Sequence, residues 1–529
     1  MVFSEQSLYL EFATGDMENL KVIKTDTKDR ISQLPESILH HILAFLDSPK
    51  QLVRMSVLSK NWFAIMASFP ILDFDIGNFN RAIHGCWSPI SDSIYVIHKF
   101  FNYVDSTTSR FCNQNITSAQ TFTLSTMIEK PMQIDIVDRC LELILMKGVK
   151  VLKVDFSNWA GVISDKPLYR LPKILLSASS LTSLKICRCK LPLSLIVDVV
   201  KFKSLKMLKL EHVPLSEKMI KHLMTGCPLL EKLTIKHCYG FKRFCVYGLQ
   251  SLQQVRICFV SEVERVDIEA LNLYYLVLND WDGRVAPSMN LASCKKLTKL
   301  SYSGCLSSTL EGLVDLSFNF PFLETLILNL PDKCSSLKLS SHSLKTLMLY
   351  SECDLENIDI NTPNLLLFGY NGYSQLFSPT KSISDRSKAR MEFVPNIYVD
   401  TLWFRCLRQF LDKKIGFKEL KLNIMVGTID IDELKVSMLA PYELEHVELD
   451  PDDIDTLSEY VDVVDALLWC CRPWSLTLGS HPFLNLEKER QIIESSLKKQ
   501  DNQTGIKFAD MEGYIVFGGT NCRNLRKLQ

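Results

Sequence analysis

From residue 149 onward the chain repeats one phrase, L-x-x-L-x-L, with copies opening at Val149, Leu181, Leu205, Leu230, Leu252, Leu273, Leu297, Leu323, Leu344 and Leu365. Between Leu181 and Leu365 successive openings fall 21 to 26 residues apart, by subtraction of those positions. A copy with three or four buried aliphatic side chains, at about 1.5–3 kcal/mol each, cannot offset the entropy of ordering its own backbone. The copies must therefore stack. The pattern predicts an α/β solenoid in which each copy supplies one short strand, such as Leu181-Thr182-Ser183-Leu184-Lys185-Ile186. Its leucines enter a shared core, the chain returns through a helix or irregular turn, and the strands form a curved parallel sheet.

Both ends of such an array need covers. Ahead of it Ile134, Ile136, Val137, Cys140, Leu141, Ile144 and Leu145 make an amphipathic helix running into a strand at Val149–Val154. The stretch from Ile76 to Lys130 is mixed, with a helix expected around Tyr95 to Tyr103 and a strand around Thr121 to Leu124. After Tyr370 the rhythm breaks, and Ser374 to Asn396, rich in serine and charge, reads as an exposed loop. Helix Trp403–Leu411, strand Phe417–Ile424, strand Leu444–Leu449, helix Asp465–Cys470, strand Trp474–Leu478, a last helix around Leu486 to Leu497 and a strand around Tyr514 to Phe517 then continue the helix-strand order.

Charge narrows the partners. Sixty basic residues balance sixty acidic ones, with a pI near 7.1, so the positive field that nucleic acids and anionic membranes require is absent. No run of about 18 apolar residues offers a membrane span, and Glu5, Glu11, Asp16 and Glu18 interrupt any signal-peptide core. The 17 cysteines are scattered through apolar segments, as expected of reduced thiols inside a cell, in nucleus or cytoplasm. The sequence does not choose between the two compartments.

Catalytic signatures are missing. There is no P-loop, nucleotide fingerprint, HExxH pair or nucleophile elbow. Cys187, Cys189, His237 and Cys238 lack the paired C-x-x-C spacing of a zinc site, and the acidic run from Asp450 to Asp465 lacks the glycine and terminal glutamate of a calcium loop. No metal or cofactor is expected. Adjacent Cys470-Cys471 reads as the junction of a helix and an apolar strand rather than a reactive pair.

The N-terminal region follows different rules. Pro35 can open a helix without losing a hydrogen bond; Ile38, Ile42 and Phe45 then form one stripe with Leu39, Leu43 and Leu46 beside it. Ser48-Pro49-Lys50-Gln51 reads as a capping box for a second helix carrying Leu52, Val53, Ser56 and Val57. Ser59 caps a third, in which Trp62, Ile65, Met66 and Phe69 recur at i, i+3, i+4 and i+7 before Pro70. A unit this small rarely supplies more than about 3–5 kcal/mol of core stabilisation, so its apolar stripes call for a further surface to lean on.

The opening Leu34-Pro35-Glu36-Ser37-Ile38-Leu39-His40-His41-Ile42-Leu43-Ala44-Phe45-Leu46 and the ending Val53-Arg54-Met55-Ser56-Val57-Leu58-Ser59-Lys60-Asn61-Trp62 resemble the F-box, especially its plant form over Val57–Trp62. Asn61 departs from it, standing where the plant motif most often has arginine. With the array behind it, the chain resembles plant F-box proteins with leucine-rich repeats. Cys189, Cys238 and Cys305, eight residues after their opening leucines, fit the position where such repeats hold the turn with asparagine or cysteine. The expected organisation is a flexible tail at 1–28, the F-box at 29–75, a connecting segment at 76–133, leucine-rich repeats at 134–370, an exposed loop at 371–399 and degenerate repeats at 400–529.

The resemblance implies a non-catalytic substrate-recognition subunit of a Skp-cullin-F-box ubiquitin ligase. Leu34, Pro35, Ile38, Leu39 and Ile42 would face the Skp-type adaptor, which brings a cullin-RING ligase, while Val53, Val57, Leu58 and Trp62 shape or support that surface. His40 and His41 are read as solvent-exposed. Strand alternation puts Lys185, Lys209, Lys232, Lys236, Arg256, Tyr275, Lys299 and Tyr350 on the open face of the sheet, where they would receive a target protein. The basic first half suits an acidic or phosphorylated segment, yet lysine there also serves solubility alone; the sequence leaves both open. A scaffold that recruits no cullin, and a small-molecule receptor, are the other functional classes compatible with this chain.

Overall fold

Alternation of the kind seen in Leu233-Thr234-Ile235 decides the architecture, because every second side chain of a strand points the same way. In the computed structural model these alternations become parallel strands in register. The structure describes residues 31, 34–43, 45, 55, 58–84, 94–114, 119–157, 168–259, 263–280, 287–304, 320–330, 336–351, 357–372, 389–395, 397–412, 417–435, 441–452, 454, 456–479 and 514–517. The chain divides into two units, Met1–Pro214 with Thr225–Leu229, and Leu215–Met224 with Leu230–Gln529.

The first unit opens with α1 (Glu36–Leu43) and α2 (Lys60–Ala67). The Ser59 hydroxyl accepts the Trp62 N–H at 3.1 Å, the cap its position predicts. Behind these helices come β1 (Ile71–Asp75), α3 (Ile76–His84), α4 (Ile94–Cys112), β2 (Thr121–Ser125), α5 (Pro131–Met146), β3 (Val151–Asp155), β4 (Ser183–Cys187) and β5 (Met207–Glu211). The strands pair in that order, all parallel. Two buried ladders cross them, Leu72-Phe122-Leu152-Leu184-Leu208 and Phe74-Leu124-Val154-Ile186-Leu210.

The sheet reaches ahead of the expected repeats: residues 71–75 and 121–125 are full members of it. The cause is visible in α4, which at 19 residues far outruns the helix expected at Tyr95–Tyr103. Its buried Val96, Ile97, Phe100, Phe101 and Val104 cover the sheet beside Val137, Leu141 and Ile144 of α5. Arg139 and Asp105 tie the two helices with a forked pair at 2.6 and 3.0 Å.

Thirteen parallel strands make the main sheet of the second unit among the described residues: β6 (Lys232–Cys238), β7 (Gln254–Phe259), β8 (Tyr275–Asp280), β9 (Lys299–Ser303), β10 (Thr325–Leu330), β11 (Thr346–Ser351), β12 (Leu367–Gly372), β13 (Ala389–Phe393), β14 (Tyr398–Val399), β15 (Phe417–Val426), β16 (Tyr442–Asp452), β17 (Cys471–Leu478) and β18 (Tyr514–Phe517). One buried ladder runs Leu233-Val255-Leu276-Leu300-Leu326-Leu347-Phe368-Met391-Leu420-Val447-Leu476. Where copies are short the chain returns through extended pieces, as at Arg243–Val246 and Arg265–Ile268. The later, longer copies return through helices Thr401–Leu411, Ile431–Lys435 and Leu457–Cys470. Return type thus sets repeat length.

Several sequence expectations move. The segment read as an exposed loop contains β13, whose Met391 and Phe393 are buried while Arg390 and Glu392 alternate outward; residues 373–388 lie outside the described residues, as does the helix expected at Leu486–Leu497. Asp450 and Asp452 close a strand. Cys189 and Cys238 are buried, their thiols donating to the Cys187 and Lys236 carbonyls at 3.2 and 3.5 Å; Cys305 is outside the described residues. Each follows a residue in the left-handed region, Arg188 at φ 53° and His237 at φ 50°, and His212 at φ 52° precedes buried Val213 in the same way. The buried residue therefore anchors a left-handed turn leaving the strand, a conformation that costs a non-glycine residue about 1–2 kcal/mol. Cys470 and Cys471 are buried at the junction of helix Leu457–Cys470 and β17, and burial pushes the Cys471 thiol up to about 12.

Candidate functional site

Two exposed surfaces concentrate the sequence's unusual side chains, one in each unit. In the first unit, Ile31, Leu34, Ile38, Ile42 and Phe45 follow one another at steps of three and four residues, one face of a helix. All are exposed, from 38% at Leu34 to 72% at Phe45. Leu58 and Phe63 are exposed as well. Soluble proteins seldom leave so many large apolar groups contiguous on eight residues of helix and its flanks unless something covers them.

The opposite face of α1 explains why the ridge stays out. Leu39 and Leu43 are buried with Trp62, Ile65 and Phe69, and Met55, Met66 and Ile71 pack around them. A polar clasp fixes the crossing: Ser68 donates to the Glu36 carboxylate, and His40 Nε2 lies 3.1 Å from both Ser68 Oγ and the Ile65 carbonyl. His40 is thus a half-buried tether, not the free surface residue expected; His41 remains exposed, edge-on to Phe45. Leu39 is likewise corrected, since a side chain 1% exposed beneath the ridge cannot face a partner. Of the remaining ridge residues, Leu34, Pro35, Ile38, Ile42 and Leu58 are exposed and Trp62 is core. Val53 and Val57, with the second helix expected around them, lie outside the described residues.

The second surface is the open face of the second unit's sheet; the first unit's own sheet has such a face too. In the first unit its cations are already satisfied: Lys185 pairs with Asp155 at 3.3 Å and Lys209 with Glu211 at 2.9 Å. Basic charge expected there is cancelled within the chain. In the second unit the register aligns Lys232, Gln254, Tyr275 and Lys299 in one row and Thr234, Arg256, Val277 and Ser301 in the next. Arg256 donates to the Tyr275 hydroxyl at 2.9 Å, and the Arg256 and Lys299 cations lie 5.8 and 5.6 Å from the Tyr275 ring centre. Lys236 is half-buried on the same strand as Lys232, and Tyr350 is 37% exposed on β11.

Charged residues at the far end of this face escaped sequence reading. Arg390 bonds Glu392 at 3.2 Å and Glu448 at 2.9 Å, and Lys421 bonds Glu448 at 2.8 Å, a network spanning β13, β15 and β16. The Lys421 ammonium, ahead of Arg390, holds Glu448 below the ordinary carboxylate range. The alternation Arg390-Met391-Glu392-Phe393 was the available signal, masked by the serine-rich stretch preceding it. Among the described residues no group of three or more His, Cys, Asp or Glu could hold a metal ion, and no helix is long and apolar enough to cross a membrane.

Known proteins divide along the same lines. An F-box-like family model matches residues 31–71, the ridge and its core. A second model, described as FBD-associated F-box protein At5g56370, LRR repeats, matches residues 137–314. The chain is 28% identical over 282 residues to F-box/LRR-repeat protein 25 of Arabidopsis thaliana, covering 52% of this chain and 96% of that protein. It is 28% identical over 232 residues to F-box/FBD/LRR-repeat protein At4g00160, covering 41% and 43%, and 27% identical over 240 residues to F-box/LRR-repeat protein At5g02910, covering 44% of each, both from the same plant. The matched region thus spans less than half the length of the latter two relatives.

Proposed function

The chain belongs to the plant-type F-box proteins with leucine-rich repeats, and from that premise we propose that it is the substrate-recognition subunit of a Skp-cullin-F-box ubiquitin ligase. The observation that carries the proposal is the ridge of Ile31, Leu34, Ile38, Ile42 and Phe45, apolar and exposed beside the buried cluster of Leu39, Leu43, Trp62, Ile65 and Phe69. A groove on a Skp-type adaptor that accepts an amphipathic helix is the natural complement, with i, i+4 anchors at Ile38 and Ile42. The sheet holds a target protein, and the assembly keeps a target lysine near a ubiquitin-conjugating enzyme. Its contribution is proximity: well-oriented intramolecular reactions reach effective concentrations of about 10⁵ M and above. The chain itself supplies no reacting group.

Affinity capture of the intact chain under a proteasome block tests this reading. Adaptor and cullin should both be recovered. Recovery of the adaptor without a cullin would instead assign the chain to a scaffold outside the ligase.

A further inference from the structure

On the open face of the second unit, charge is sorted along the sheet. Among the described side chains, the outward ones of β6 to β9 include Lys232, Lys236, Arg256 and Lys299 and no carboxylate. Among the described residues these four cations have no carboxylate partner; Arg256 and Lys299 rest instead on Tyr275. The middle strands carry no charge at the aligned positions. Thr325, Thr346 and Leu367 form one row and Ile327, Met348 and Gly369 the next. At Gly369 any side chain would meet Met348, whose thioether lies across the glycine as an apolar floor. Over β13, β15 and β16 the side chains reaching solvent include Glu392, Glu419, Glu448, Asp450 and Asp452 against Arg390, Lys418 and Lys421. The far end is therefore net acidic.

Building on the reading of this face as the one that holds a target, we propose that it binds a single extended polypeptide segment with opposite charges at its two ends: an acidic end over Arg256 and Lys299, an apolar centre on Ile327 and Met348, and a basic end against Glu419 and Asp450. Strands lie about 4.8 Å apart, so the eight steps from β7 to β16 cover roughly 38 Å, the length of about a dozen extended residues. Complementary charge at both ends fixes the placement of the segment and rejects uniformly acidic or basic ligands by like-charge contact at one end. A face built only to capture anions would not place five carboxylates where a long acidic ligand must run. A nucleic acid, uniformly anionic, is disfavoured for the same reason.

The probe is a fluorescein-labelled twelve-residue peptide with three glutamates at one end, leucines at its centre and three lysines at the other, titrated into the full chain by anisotropy at moderate salt. Three comparators keep its length: one with serines for the lysines, one with serines for the glutamates, and one with the same composition but alternating charges. The block-charged peptide should bind at least tenfold more tightly than each comparator, and R256E/K299E should weaken it about tenfold while leaving thermal unfolding unchanged. Equal binding of the acidic-only or alternating peptide, no measurable binding of the block peptide, or indifference to R256E/K299E would overturn the proposal. Adaptor binding measured on the same preparations separates the two claims: intact docking with an indifferent sheet rejects this inference alone, whereas lost docking rejects the ligase reading.

Discussion

Replacing Ile38 and Ile42 together with glutamate should reduce affinity for a Skp-type adaptor by about a hundredfold or more while leaving the chain folded. Both side chains are exposed, at 45% and 39%, so no core contact is lost, and glutamate is a good helix former. Surface changes of this kind normally alter stability by no more than about 0.5 kcal/mol. At the centre of an interface each such anchor contributes about 2 kcal/mol or more, and a glutamate adds the cost of burying an unpaired charge. The loss should appear in dissociation rate by surface-bound binding measurements. Circular dichroism should show an unchanged melting curve. A variant that still binds within a few fold of wild type would move the docking surface elsewhere.

The second large effect comes from the other side of the same helices. Trp62, 4% exposed, lies with Leu39, Leu43, Ile65 and Phe69 in a cluster of five buried residues. Trp62→Ala should cost about 3–5 kcal/mol, as much as so small a module gains from its core. Residues 31–70 should then become rapidly cleaved in limited proteolysis, and adaptor binding should vanish with the fold rather than through a lost contact. Trp62→Phe, which keeps most of the volume, should restore a protected module. Protection unaltered by Trp62→Ala would mean that the helices are held by something other than this cluster.

Sequence and structure agree where period alone carries the information. L-x-x-L-x-L copies give strands because leucines two apart face one way, and Ser59 caps α2 because its hydroxyl reaches the Trp62 N–H. Period does not say which stripe of a helix faces inward. Leu39 and Ile38 are adjacent apolar residues, and only the crossing with α2 buries one and exposes the other. Nor does it register charge across strands. Lys185 and Lys209 look like a basic surface until the fold brings Asp155 and Glu211 beside them, whereas the Arg390, Lys421 and Glu448 network joins residues up to 58 positions apart. β1 is not legible in the sequence, being one short alternation among helical residues that pairing with β2 stabilises, whereas β2 is the strand expected around Thr121 to Leu124.

The central claim is that an exposed apolar ridge on α1 is the surface a Skp-type adaptor covers. Amide hydrogen exchange on the full chain, with and without a purified adaptor, tests it most directly. The account predicts slowed exchange across residues 34–45 on adaptor addition, with the strands of the second unit unchanged. Adaptor binding that leaves 34–45 unprotected and slows exchange elsewhere, or no binding at all, would contradict it.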